Sequence, residues 1–282
     1  KIVAVAALGA LPDANAGRII DASGKIVVPG GVDGHIHCKW PTRNAGEFSA
    51  PPAHVSRAAL FGGTTTLVDF AVWSKGQTLQ QAVELRDADW SGQCCCDYAY
   101  HLLLNGEVPP EVVEQLPEMV QAGFPSIKMY MSDVRPPRTG WKMHLGDIWE
   151  VLRVLAKHGG IACIHAEDDD LVMHMYRKLI REGRVNFTNM SEVHSTLSED
   201  LSFRRIIRLA ENIEAAAIYL MHVSARTGVD AIQESRGKGY PVYGETLHQY
   251  ALFTQADYRR PNGQIYHTYP SLKDKEDQDA LW

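Results

Sequence analysis

From Gly31 onward, short apolar runs that read as strands alternate with longer stretches of helical periodicity, and this alternation most restricts how the chain can fold. Strands are expected near 32–37, 65–70, 95–103, 126–131, 161–165, 217–222 and 242–245, with helices over 52–62, 78–89, 109–121, 146–158, 170–182, 199–212 and 226–236. A helix between two strands carries the chain back to the end it started from, so the pattern builds a parallel sheet or barrel of βα units. Seven strands can be counted before a charged, helix-like run at 273–282; an eighth would close a barrel.

The segment before Gly31 reads differently. Apolar runs at Ile2–Val5, Ile19-Ile20 and Ile26–Val28 are broken by Asp-Ala-Asn-Ala-Gly and Ala-Ser-Gly turns, as in strands of a small sheet. Two units are therefore expected, a partial sheet over 1–28 and a barrel over 29–282. A net charge of −6 provides no basic surface for nucleic acid or an anionic membrane. No apolar run approaches the roughly 18 residues that span a bilayer, and no signal-peptide pattern opens the chain. Five cysteines, three of them adjacent at Cys94, Cys95 and Cys96, make no disulfide framework. They point to reduced thiols and a cytoplasmic location, and the triple run reads as part of a buried strand.

The polar residues on the strands carry the chemistry. In Pro29-Gly30-Gly31-Val32-Asp33-Gly34-His35-Ile36-His37, period-two alternation puts His35 and His37 on one face, a pincer for a metal. His165 ends the fifth strand, His222 ends the sixth, and Lys128 lies in the fourth. Singly, a strand-end histidine is ordinarily a core or loop residue. Together, five such residues at the C-terminal ends of barrel strands, where barrel chemistry sits, point to a metal centre. Lysine cannot ligate as an ammonium. Buried, its pKa falls, and the free amine can add carbon dioxide to become a carbamate able to bridge two cations. Two divalent ions about 3.5–4 Å apart would share a hydroxide able to attack a carbonyl. Imidazole-rich ligation suits zinc, with manganese, cobalt or iron as alternatives.

These residues, together with Gly62-Gly63-Thr64-Thr65-Thr66, Asp69-Phe70, Ser126-Ile127-Lys128, His165-Ala166-Glu167, Met221-His222-Val223-Ser224 and Gly244-Glu245-Thr246, resemble the amidohydrolase superfamily, and within it the hydantoinase and dihydropyrimidinase branch. The resemblance runs in order over essentially the whole chain. It implies a (β/α)8 TIM barrel with the remnant of a small N-terminal β-sandwich, cut short before strand eight. It implies His35, His37, carboxylated Lys128, His165 and His222 as ligands of two cations. It further implies hydrolysis of a small cyclic amide or imide by a metal-bridged hydroxide, in a homotetramer or homodimer. The family's general acid/base aspartate would lie beyond the chain end. Asp274, Asp277 and Asp279 do not replace it, since they read as a solvated helix face.

The sequence departs from the family where substrate is held. Asp133 stands where those enzymes place a tyrosine that steadies the oxyanion. Tyr130 could supply the hydroxyl, although strand alternation argues against it; or the 132–138 loop serves a different substrate, with Arg135 or Arg138 gripping an anion. Tyr269, in Tyr269-Pro270-Ser271-Leu272-Lys273, replaces a serine that contacts the ring imide and could be the displaced donor. Glu167 and Asp168 could orient a ligand histidine or simply serve as helix N-terminal acids. The competing reading is a non-catalytic oligomeric relative, but such members lose metal ligands, and all five within this chain are retained. A hydrolase of another amide, lactam or ureide is the remaining alternative.

Overall fold

A computed structural model of the protein describes residues 4–7, 17–42, 44, 46–133 and 138–282. Seven parallel strands form one sheet in chain order: β1 (Gly31–Asp33), β2 (Thr64–Val72), β3 (Asp97–Leu103), β4 (Ser126–Tyr130), β5 (Ile161–His165), β6 (Ala217–Leu220) and β7 (Val242–Gly244). This is the order of seven successive βα units of a (β/α)8 barrel. The helices are α1 (Pro52–Phe61), α2 (Leu79–Trp90), α3 (Pro110–Val113), α4 (Leu116–Gln121), α5 (Leu145–His158), α6 (Asp169–Arg181), α7 (Met190–Val193), α8 (Thr196–Ala210), α9 (Arg226–Gly237), α10 (His248–Leu252) and α11 (Lys275–Leu281). Among the described residues, no helix is long and apolar enough to cross a membrane.

Register decides which residues face the site. Leu103, Lys128, Cys163, Tyr219 and Tyr243 are lateral partners along β3 to β7 and so share the inner face. The alternate positions Ile127, Met129, Ala162, Ile164, Ile218 and Leu220 are fully buried in the main core cluster with residues of the helices, such as Ile148, Leu152 and Ile206. Tyr130 and His165 pair one period nearer the C-terminal ends than Lys128 and Cys163. A second cluster of Phe70, Leu103, Cys163 and Met221 fills the floor beneath them.

The differences from the sequence reading have local causes. β1 stops at Asp33, whose Oδ1 accepts the His35 amide at 3.1 Å and so diverts a ladder donor; Ile36 N still donates to Val68 O at 3.2 Å, keeping 34–37 beside β2. The helix expected over 109–121 is split into α3 and α4, because Pro117 in the first turn of α4 brings no N–H to an unbroken ladder. Short helices over 187–193 and 248–266 were not foreseen. The cysteine run is not in a buried strand: β3 begins at Asp97, Cys95 is exposed, and Cys94 and Cys96 are half-buried at a bend. Nor is Asp277 solvated. It is 8% exposed and its Oδ1 accepts the Arg226 amide at 2.9 Å, whereas Asp274 and Asp279 are exposed as expected. Within 1–28, described residues 4–7 and 17–28 form no strand, and Ile19, Ile26 and Val27 are exposed, so the small-sheet expectation finds no ladder there. Lys1 to Val3 lie outside the described residues.

Candidate metal and substrate site

Lys128 is 1% exposed in the middle of β4, where Nζ donates to Met221 Sδ at 2.8 Å and stands 4.9 Å from the centre of the Tyr130 ring. Among the described residues, no carboxylate forms an ion pair with it. Burial pushes its ammonium down to about 7, so a large fraction is free amine at neutral pH. That is the form able to react with carbon dioxide.

His35, His37, His165 and His222 surround this lysine from the strand ends. The ring centres of His35 and His37 lie 5.3 Å apart, those of His35 and His222 5.6 Å, and those of His165 and His222 4.5 Å. Burial lowers all four imidazoles, His37 and His222 most strongly, and keeps them neutral with a lone pair to offer. His222 takes a left-handed backbone conformation, φ +46°, which non-glycine residues adopt rarely.

Two of the rings are held by carboxylates. His35 Nδ1 donates to Glu245 Oε1 at the end of β7, and the Tyr219 hydroxyl donates to the other oxygen at 3.1 Å. Burial alone would raise Glu245, but the bonds from His35 and Tyr219 outweigh it and hold the carboxyl below its ordinary value. Glu167 accepts from His165 Nε2 at 3.1 Å and from His194 Nδ1 at 2.7 Å. Burial opposes its ionisation too, and the two histidines overcome that, holding Glu167 far below the usual carboxylate range. With Nε2 thus engaged, His165 turns Nδ1 towards His222 Nε2 at 2.9 Å. A carboxylate on the remote nitrogen fixes tautomer and ring orientation, as around metal-ligating histidines generally. Asp168, by contrast, caps α6 through the Leu171 amide.

Among the described residues, no three His, Cys, Asp or Glu side chains surround one point at ligand distance. The donor chemistry nevertheless fits divalent cations. Two neutral ring nitrogens face each other, and among the described residues the buried Nδ1 of His222 has no hydrogen-bond partner and the buried lysine no carboxylate ion pair.

These groups line a cavity of about 820 Å³ with Trp40, Tyr130, Asp133, Trp141 and Tyr269. Tyr269 packs on His194 and His267 at 4.9 and 4.4 Å. The rest of its segment turns away: Ser271 Oγ donates to His194 O, and Lys273 Nζ to Ser271 O. Asp133 is committed to its own loop, accepting from Thr139 N at 2.7 Å, Thr139 Oγ1 at 3.0 Å and Gly140 N at 2.5 Å. Arg138 is paired with Asp169 at 2.5 Å, and Lys142 shares the same carboxylate at 3.0 Å; Arg135 lies outside the described residues. Sequence reasoning missed the part of Glu245. Its position directly after β7 was the available signal, since strand ends carry barrel chemistry. Nothing local announced Trp40 and Trp141, which meet at 5.9 Å only through the fold.

No protein-family model matches the chain. It is 34% identical to a D-hydantoinase of Streptomyces coelicolor over all of this chain and 60% of that protein. It is 31% identical to a D-hydantoinase of Geobacillus stearothermophilus over 99% of this chain and 58% of that one. The crystal structure of a dihydropyrimidinase from Brevibacillus agri superposes with a TM-score of 0.88 at 30% identity, covering 96% of this chain and 58% of the other. The chain thus spans about three-fifths of the length of these relatives.

Proposed function

Because this chain is a relative of the hydantoinases and dihydropyrimidinases, the cyclic-amidohydrolase branch of the amidohydrolase superfamily, we propose that it acts in metal-dependent hydrolysis of a ring amide or imide of the hydantoin or dihydropyrimidine type. One observation carries this reading: four neutral imidazoles, those of His165 and His222 buried and those of His35 and His165 backed by carboxylates, converge on a buried lysine that has no carboxylate ion pair among the described residues. His35 and His37 would hold one cation, His165 and His222 the other, and carboxylated Lys128 would bridge them. Zinc suits this donor set. When bound, the cations supply hydroxide at neutral pH and polarise the ring carbonyl.

The chain's own residues do the rest. Glu245 and Glu167 keep the His35 and His165 rings in one tautomer and one orientation. Trp40, Tyr130 and Trp141 give the cavity an aromatic wall against which a flat ring packs out of water. Tyr269 donates its phenolic proton to the carbonyl oxygen as negative charge develops there. We further propose that residues 29–282 are the barrel unit and 1–28 part of a separate small sheet. A homo-oligomeric, cytoplasmic protein completes the reading.

The test is elemental analysis of protein prepared with divalent metal and bicarbonate, together with peptide mass spectrometry at Lys128 and assay of hydantoin and dihydrouracil opening. About two cations per chain and a carboxylated Lys128, both lost in Lys128→Ala, are expected. A metal-free protein with unmodified Lys128 would reject the hydrolase in favour of a non-catalytic relative.

A further inference from the structure

The run Cys94-Cys95-Cys96 lies at the N-terminal end of β3, about 20 Å along the strand from the ends that carry the candidate site. In an extended strand, residues i and i+2 stand about 6.6 Å apart and their side chains run side by side. Here the backbone bends instead. Gly92, at φ +72°, turns the chain out of α2, and the Cys95 amide donates to Ser56 Oγ at 3.0 Å, pinning the bend to α1. Cys95 is left facing solvent, while the Cys94 and Cys96 sulfurs close to 3.8 Å and the Cys94 thiol also donates to Cys96 O at 3.2 Å. Both thiols are half-buried and free.

We propose that Cys94 and Cys96 form a bidentate dithiol site for a soft, thiophilic cation, of the class of cuprous ion or trivalent arsenic. Two thiolates at tetrahedral angle around a cation with bonds near 2.3 Å stand about 3.8 Å apart, so the pair needs little rearrangement to chelate. The anchoring of Cys95 by Ser56 means that much of the ordering cost of a chelate is met before the ligand arrives. Exposed Cys95 marks the open side of the bend. Binding replaces two S–H bonds by two sulfur–cation bonds. With phenylarsine oxide, the two thiol protons leave with the arsenical oxygen as one water, and no oxidant or reductant is consumed.

The experiment uses the whole chain under anaerobic, non-denaturing conditions, with intact-mass spectrometry and thiol titration as readouts. One phenylarsine oxide per chain, consuming two of the five thiols, is expected, as is displacement of the adduct by cuprous ion. Cys94→Ser and Cys96→Ser should each weaken binding at least about a hundredfold, because the second contact of a chelate is lost. Cys95→Ser and Cys38→Ser should bind as the parent does. No adduct on the parent, an adduct unchanged in Cys94→Ser, one lost in Cys95→Ser, or one that cuprous ion fails to displace would each overturn the proposal. None of these readouts depends on hydrolysis, so the proposal stands or falls apart from the function proposed above.

Discussion

Asp133 shows how a side chain's partners decide its role. In sequence it occupies a position where a hydroxyl would face substrate; in the fold its carboxylate gathers the amides of Thr139 and Gly140 and the Thr139 hydroxyl. This ties Asp133 to Thr139 and Gly140, and the next residue, Trp141, lines the cavity. Hydrogen bonds to a charged group contribute about 1.5–3 kcal/mol, and the stranded amides add to the loss when the acceptor goes. Asp133→Ala should therefore lower unfolding free energy by about 2–3 kcal/mol in urea titration. A change below about 0.5 kcal/mol, the range of ordinary surface substitutions, would show that these hydrogen bonds do not stabilise the fold.

At the scale of the element, α9 enters the fold without a side-chain cap of its own and borrows two. Glu199 of α8 accepts the amides of Ser224, at 3.1 Å, and Ala225, at 3.0 Å; Asp277 of α11 accepts that of Arg226. Burial raises the Glu199 carboxyl to about 7 from an ordinary 4.5, against the opposing pull of Lys273 and the bonds from Ser224 and Ala225. The folded state therefore holds a proton that the unfolded chain releases between pH 4.5 and 7. Its stabilising contribution is fully present below that window, is lost as pH rises through it, and is flat above. In thermal melts, the parent's Tm minus that of Glu199→Gln should be larger near pH 5, well below the folded midpoint of about 7, and shrink towards pH 8, above it. A difference independent of pH would place the Glu199 midpoint near its ordinary value.

Across the whole molecule, the proposed ligands come from the middle of β4, the end of β5 and the segments just after β1 and β6, so a cation there would tie distant parts of the sheet together. A ligand that binds only the folded state stabilises it by about 2.7 kcal/mol at a hundredfold excess over its Kd. Zinc with bicarbonate should raise the thermal midpoint by several degrees, a chelator should reverse the gain, and His165→Ala should blunt it. Superimposable melts with and without zinc would remove the cations from the account of the site.

The sequence alone determined the succession of the strands and main helices, the stations of His35, His37, His165 and His222 at or just past strand ends, and that of Lys128 within β4, because periodicity and turn residues act over a few neighbours. It placed β4 and β5 within a residue and misread β1 and α3–α4 only where Asp33 and Pro117 intervene. Tertiary structure alone decided what each polar group touches. Glu245 reaches His35 across 210 positions, Asp169 pairs with both Arg138 and Lys142, and Ser56 holds the bend of the cysteine run. A buried polar atom must find a partner, and the fold rather than the local sequence chooses which distant residue supplies it.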